Sequence, residues 1–236
     1  MGVLLFKGMK SGIQDGDLSV TFDENGPTSS NVIISTSYNI LPLWLKIAYD
    51  NLKSSEKANR LVLSDWCDDT ERQKSLLIAE LTPSIQVFVA CACALDALYD
   101  QLKEHTNITR EEIVNWKEKR TARHSQIVEV IRRSYKLDNH FVQAAKLNIK
   151  SIMDYRDKVI HSSHDIKHTC TRPDIPVSVD WRFSAYKYTN ALIAWKRTME
   201  LFTLLYDKKS KNEKVNENME SIIEALIELK LVTKNA

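Results

Sequence analysis

The chain has 236 residues, 43% hydrophobic and 27% charged, a composition typical of a globular protein with one large domain or two small ones. It has no run of eighteen apolar residues, and its first ten residues lack the basic start and apolar core of a secretory signal. We therefore expect a cytoplasmic protein with no membrane segment.

Charge is unevenly distributed along the chain. Residues 1–100 carry 8 Lys or Arg against 13 Asp or Glu, whereas residues 101–236 carry 25 against 18. A basic half favours a polyanionic partner, most strongly around a run of lysines and arginines between residues 110 and 136. A solvated helix face is the commoner explanation of such a run when it is taken alone.

The first forty residues differ in kind from the rest, because all five glycines lie between Gly2 and Gly26. Three short apolar or alternating runs separated by turn residues predict a small β meander: Val3–Phe6, Leu18–Phe22 and Asn31–Ser35. A sheet of this size is marginally stable alone. We therefore expect residues 1–40 to pack on the helices that follow.

From Leu41 the apolar residues recur with a helical period. Leu41 to Leu52 predicts a first helix, and Trp66 to Leu81 a second one capped by Asp65. Thr82 and Pro83 predict a new helix start, since Pro is favoured at the first helical position. Ile85 to Leu102 is apolar on nearly every side as far as Leu95, so it is the expected central buried helix.

Asp96 and Asp100 lie four residues apart towards the end of that central helix. They form either a polar patch or, more commonly at such a place, two exposed acids. Thr109 and Glu112 then have the spacing of a capping box, which opens a basic helix to about Tyr135. The middle of that helix is polar and is expected to face solvent or a partner.

The last third of the chain completes a mainly α prediction. Its elements are a helix capped by Asp138, a loop over Ser162–Asp180, a long helix from Trp181 to Tyr206, a charged linker over Asp207–Asn216, and an amphipathic helix around Met219–Leu229. We expect the helical domain to span residues 41–236.

The cysteines and histidines give no strong motif. Cys67, Cys91, Cys93 and Cys170 have no disulfide or redox spacing, so we expect free thiols. A second group has the side chains of zinc ligands within ten residues: His161, His164, His168 and Cys170. Its spacing fits no closed structural zinc site, and we assign neither a metal nor a cofactor.

Arg156 stands out because it falls in the middle of an apolar sector, about 120° wide, of the helix that Asp138 caps. A buried cation without an anion is too costly to keep, so Arg156 must reach water or meet an acid. His161 follows five residues later, about 140° further round the helix, where the helix is expected to end.

Arg156, Asp157 and His161 together resemble the R-x4-6-H motif of the HEPN superfamily, in which a polar residue commonly follows the Arg. Arg133 and His140 also fit the looser spacing, but Leu137 to Asn139 is expected to break the helix between them. The order of elements strengthens the resemblance: a buried helix, the motif at the end of the penultimate core helix, a short loop and a long amphipathic helix. It covers about residues 82–207.

The resemblance implies an up-and-down helical bundle that dimerises about a two-fold axis and brings two motifs into one cleft. Many such proteins are metal-independent ribonucleases, which implies catalytic roles for Arg156, His161 and Asp157. An imidazole moves protons near neutral pH, and a guanidinium holds a phosphate in two places. The expected RNA-binding residues are basic: Lys117, Lys119, Arg120, Arg123 and Lys158.

Two functions remain open from the sequence. One is a HEPN-type endoribonuclease, such as a toxin or phage-defence effector with an antitoxin or defence partner. The other is a non-catalytic HEPN bundle that binds a nucleotide, RNA or protein. Asp157 is then simply solvated, and His161 is a helix C-terminal residue favoured by the macrodipole.

Overall fold

The computed structural model of the chain describes residues 3–5, 8–161 and 168–233. It is mainly helical, with 65% helix and a few small sheets. The chain divides into two compact units, Met1–Ile40 and Leu41–Ala236. The mainly α class predicted from the sequence is therefore confirmed.

The first unit contains two separate two-stranded antiparallel sheets. Their strands are β1 (Met9–Gly12), β2 (Leu18–Asp23), β3 (Gly26–Val32) and β4 (Ser35–Tyr38). β2 and β3 form a hairpin closed at Gly26, whose φ of +119° favours a glycine, while β1 pairs with β4 outside it.

The predicted β meander is therefore wrong, because the outer strands pair with each other instead of adding in sequence. Residues 3–5 are not in a strand either, and Phe6 lies outside the described residues. The run Asn31–Ser35 is interrupted at Ile33 and Ile34, between β3 and β4.

The second unit contains eight helices and one short hairpin in its described part. The helices are α1 (Leu41–Ser64), α2 (Thr70–Lys103), α3 (Arg110–Glu118), α4 (Arg123–Tyr135), α5 (Asn139–Ile160), α6 (Trp181–Ala185), α7 (Tyr188–Lys208) and α8 (Glu213–Glu228). The hairpin consists of β5 (Cys170–Thr171) and β6 (Ser178–Val179), inside the stretch predicted as a loop.

α2 lies at the centre of this unit, as the sequence predicted. It packs against α1, α4, α5 and α7, and its apolar residues from Val87 to Leu102 form the middle of one continuous core. By length and composition α2 is the one described helix apolar enough to cross a membrane, yet half of that apolar stretch is buried. Core helices of soluble proteins pass the same test, and the fold is compatible with a soluble protein.

Helix α2 corrects two predictions. It begins at Thr70, where Asp69 and not Asp65 caps it by accepting a hydrogen bond from the Glu71 backbone N–H. It also continues through Pro83 without a restart. The Thr82 hydroxyl donates to the carbonyl of Ile78 on the turn before Pro83. Packing on both sides therefore outweighs the helix-breaking tendency of proline.

Two predicted long helices are each divided in two. The basic helix breaks after Glu118, with Arg120 in the left-handed region at φ +49°, and resumes as α4. The helix predicted from Trp181 breaks at Tyr186, whose hydroxyl donates to the carbonyl of Tyr155 at 2.8 Å. The predicted capping box at Thr109 and the cap at Asp138 are both confirmed.

A buried charge cluster fastens the stretch between α5 and α7 to α2. Arg172 and Glu80 are each 1% exposed and form an ion pair at 2.5 Å, and Asp174 also binds Arg172. Glu80 accepts the backbone N–H of Tyr188 at 2.8 Å, which caps α7. Because the ion pair is buried and has these additional bonds, it holds the stretch between α5 and α7 in a fixed position against α2.

Candidate functional site

Arg156 lies near the end of α5 and points towards α2. Its Nη1 donates to Asp96 Oδ2 at 2.9 Å, while Nε and Nη2 lie 2.9 and 2.7 Å from Asp157 Oδ1. The side chain is 18% exposed. Burial opposes the charged form, but Asp157 and Asp96 outweigh it and raise the pKa of Arg156.

Of the two outcomes expected for Arg156, water or an acid, the structure shows an acid from the same chain. Asp96 supplies the anion from the central helix, and Asp157 supplies a second one from the same turn. Of the two explanations offered for Asp96 and Asp100, the polar patch is correct for Asp96, whereas Asp100 is an exposed acid. An arginine on an apolar stripe is tolerated here because two carboxylates take its charge.

Asp96 joins a third helix to the site. Its Oδ1 accepts a hydrogen bond from Arg123 Nε at 2.7 Å, so one carboxylate holds two guanidinium groups. Arg123 also lies over the ring of Tyr99, 3.7 Å from its centre. The first turn of α4 is thereby fixed on α2 beside Arg156.

His161 is the residue at which α5 ends. Its backbone N–H donates to the carbonyl of Asp157 at 2.9 Å, and its side chain is exposed. Five residues of helix separate it from Arg156, about 7.5 Å along the axis. The structure therefore keeps Arg156 turned towards α2 and leaves the imidazole in solvent at the helix end.

His124, the second residue of α4, is a titratable residue beside α5 that the sequence analysis did not single out. It is half-buried, and its charge interacts with that of Asp154, Lys150, Lys146 and Asp157 on α5. Burial lowers the pKa of His124, and the two acids oppose that shift only in part. No local motif marks this histidine, because its neighbours come from another helix.

The predicted RNA-binding residues divide into two groups. Lys117, Lys119 and Arg120 are exposed at the end of α3 and in the break before α4, whereas Arg123 is only partly exposed and is bound to Asp96. Arg120 and Arg123 are three residues apart, so their Cα atoms lie within about 11 Å. Lys158 is exposed, and its ammonium group lies 5.5 Å from the ring centre of Tyr155.

No protein-family model, no curated protein and no solved structure matches this chain. The resemblance to the HEPN superfamily accordingly stays a prediction.

The structure describes three of the four potential zinc ligands. His161, His168 and Cys170 are described, while His164 lies outside the described residues. Within the described ranges no group of three or more metal-ligating side chains is found. All four cysteines are free, as predicted.

The site thus combines the guanidinium of Arg156, fixed to α2, with the exposed imidazole of His161 at the end of α5. Arginine has five N–H donors, and the bonds of Arg156 to Asp96 and Asp157 use three of them. Two donors remain for a ligand oxygen. The chemistry of such a set is anion binding next to proton transfer.

Proposed function

We propose that this protein is a metal-independent endoribonuclease of the HEPN type, acting in the cytoplasm as a homodimer. It would belong with the effectors of toxin–antitoxin or phage-defence systems, whose partner proteins control them. The observation that carries the proposal is the Arg156 guanidinium, held between Asp96 and Asp157 five residues before the exposed His161.

The arrangement suits a phosphodiester. Arg156 is pre-oriented by its two carboxylates and retains donors for a phosphate oxygen, which develops charge as the bond to phosphorus forms. His161 is free in solvent to transfer a proton. Exposed lysines and arginine before α4 would extend the phosphate contacts beyond the scissile bond.

The homodimer is part of this proposal. An up-and-down helical bundle of the HEPN type would bring the ends of two α5 helices together, so that one RNA strand meets both motifs. Light scattering on the purified protein tests this oligomeric state. A monomer at working concentration would remove the two-fold arrangement from the proposal.

A second function is favoured by one specific observation. The charge of Arg156 is already neutralised by Asp96 and Asp157. An ion pair that only joins α5 to α2 would have the same arrangement. On that ground the alternative is a non-catalytic HEPN bundle that binds a nucleotide, RNA or protein through its basic surface. In that case His161 has no chemical role.

RNA cleavage in EDTA separates the two functions. We expect purified protein to cleave single-stranded RNA with EDTA present, and His161→Ala to lose the activity. The matched control is His140→Ala, because His140 is exposed at the other end of α5, about 30 Å away along the helix. Cleavage that survives in His161→Ala, or is absent from the wild type, refutes the ribonuclease proposal.

A further inference from the structure

A groove lies between α5 and α7, apart from the contacts of Arg156. Its walls are residues 141–155 of α5 and 190–204 of α7, and Phe88 and Leu95 of α2 line its floor. Such a stretch of helix is about 21 Å long. The two halves of the groove have open volumes of about 500 and 490 Å³. Each is within the range of about 300–1,000 Å³ that is usual for small-molecule sites.

Small side chains keep the groove open. Both α5 and α7 pack on α2, but the residues that face the groove include Ala144 and Ala145 on α5 and Ala194 and Thr198 on α7. The Thr198 hydroxyl donates to the carbonyl of Ala194 at 2.8 Å, so it is satisfied within its own helix. The half of the groove next to Leu95 is therefore mainly apolar, which suits a hydrocarbon chain.

Polar groups gather in the other half of the groove, next to Phe88. Ser151, Tyr155, Asn190 and Arg197 line it together, and no acid among the described residues does so. The Tyr155 ring is stacked on that of Phe88, with 4.6 Å between the ring centres. The Nδ2 of Asn190 donates to two carbonyls at the end of α6. Two of the four polar side chains are thus held in place, and this half favours a negatively charged group.

Arg197 lies where the two halves meet, because it lines both of them. Unlike Arg123 and Arg156, it forms no ion pair or hydrogen bond with any residue that the structure describes. Its guanidinium therefore has donors for a carboxylate, which it can bind in two places. No other Lys or Arg of the described chain lines the groove, and Glu200 lines its apolar half. One cation matches a single negative charge, whereas a phosphate monoester carries about 1.5 to 2.

We propose that this groove binds a small monocarboxylate with an unbranched hydrocarbon chain. Arg197 binds the carboxylate, and the hydroxyls of Ser151 and Tyr155 are further donors in the same half of the groove. The chain extends into the apolar half, away from the polar groups and along Leu95 and Leu201. This inference goes beyond the proposed ribonuclease function and does not depend on it.

Isothermal titration calorimetry with three probes tests the class of ligand. We expect the full chain to bind one molecule of decanoate. 1-Decanol has the same chain without the charge and should bind at least tenfold more weakly, since hydrogen bonds to charged groups are the stronger ones. Hexanoate lacks four CH₂ groups and should bind about 100-fold more weakly, because each buried CH₂ changes the affinity about fourfold.

Two variants at exposed positions locate the bound molecule. Arg197→Gln should weaken decanoate binding at least tenfold and leave 1-decanol binding unchanged. Its control is Lys196→Gln, because Lys196 is the adjacent exposed cation and does not line the groove. Ala144→Trp should abolish the binding of both probes, since an indole at this exposed position of the apolar half fills the space of the chain. Thermal melts confirm that all three variants are folded.

Three results would overturn the proposal. The first is that decanoate does not bind, or binds no better than 1-decanol. The second is that Arg197→Gln behaves like Lys196→Gln, or that Ala144→Trp still binds decanoate, because the ligand would then lie elsewhere. The third is that Ala144→Trp changes the oligomeric state seen by light scattering, because a second copy of the chain would then cover the groove. None of these measurements uses RNA, so they are independent of the ribonuclease test.

Discussion

Asp96 on α2 binds Arg156 on α5 across 60 residues of sequence, with 2.9 Å between Oδ2 and Nη1. The same carboxylate binds Arg123 on α4 at 2.7 Å. One acid on the central helix thus fixes the two helices that carry the candidate site. The loss of that acid should affect stability and activity together.

We predict that Asp96→Asn lowers the free energy of unfolding by about 1–2 kcal/mol. The asparagine removes the charge that Arg156 and Arg123 share, although Arg156 keeps Asp157 and Arg123 keeps the more distant Asp100. Hydrogen bonds to charged groups contribute about 1.5–3 kcal/mol each, less where the carboxylate is 28% exposed. Denaturant unfolding gives the difference. The control is Asp100→Asn, whose side chain is 68% exposed and 3.8 Å from Arg123. Equal stability of the two variants would show that the cluster around Asp96 contributes little.

Sequence reasoning found the elements with local signals and missed those that depend on distant contacts. The cap at Asp138, the capping box at Thr109 and the apolar run in α2 are all local patterns, and all are present. The break at Arg120 has no glycine or proline to mark it, although Arg120 has a left-handed φ of +49°. Pro83 carries a strong local signal that the core overrides.

The candidate site shows the same division. Arg156 and His161 were identified because they follow one another on a single helix. Asp96, which binds Arg156, and Arg123, which binds the same carboxylate, come from two other helices. The separation of 60 residues between Asp96 and Arg156 leaves no pattern in the sequence that would pair them.

We predict that Arg156→Lys loses nearly as much RNA cleavage as Arg156→Ala, about 100-fold in kcat/KM. A lysine is a point charge and cannot keep the planar fork between Asp96 and Asp157 while it binds a phosphate. Steady-state kinetics on both variants give the comparison, and thermal melts record the loss of the Asp96 bond. A lysine variant near the wild-type rate would mean that Arg156 only attracts RNA.

We predict that Glu80→Ala destabilises the protein by about 3–5 kcal/mol. It removes one of the two anions of Arg172, the fully buried one, and the cap on Tyr188 at the start of α7. The control is Asp50→Ala, which breaks only the exposed pair with Lys46. Denaturant unfolding measures both. A Glu80 variant as stable as its control would show that Asp174 alone satisfies Arg172.

The ion pair of Glu112 and Arg133 predicts a pH-dependent stability. Hydrogen bonds from Arg133 and from the Thr109 backbone lower the pKa of Glu112 to about 2, from 4.5. The pair therefore contributes fully above the unfolded pKa of 4.5, and the contribution disappears as the pH falls towards 2. Glu112→Gln should be less stable than wild type at pH 7, and the difference should shrink between pH 5 and 3. Glu111→Gln is the control, and a difference that stays constant with pH would refute the linkage.

The last prediction concerns how RNA is held next to the site. Lys119 and Arg120 are exposed in the break before α4, within a few residues of Arg123 and His124. Polyanion binding releases counterions, so affinity for single strands falls with salt at a slope of about 0.7 for each phosphate contact. Replacement of both residues by glutamate should reduce that slope by about 1.4 or more and leave kcat at saturating RNA nearly unchanged.

The matched control for that variant replaces two other exposed lysines, Lys211 and Lys214, by glutamate. Lys211 lies between α7 and α8, and Lys214 lies in the first turn of α8. Fluorescence anisotropy at several salt concentrations measures both slopes. His161→Ala should behave in the opposite way, with RNA affinity retained and turnover lost. If the Lys119 and Arg120 variant binds with the same salt dependence as its control, the basic stretch before α4 is a solvated surface and the phosphate contacts lie elsewhere.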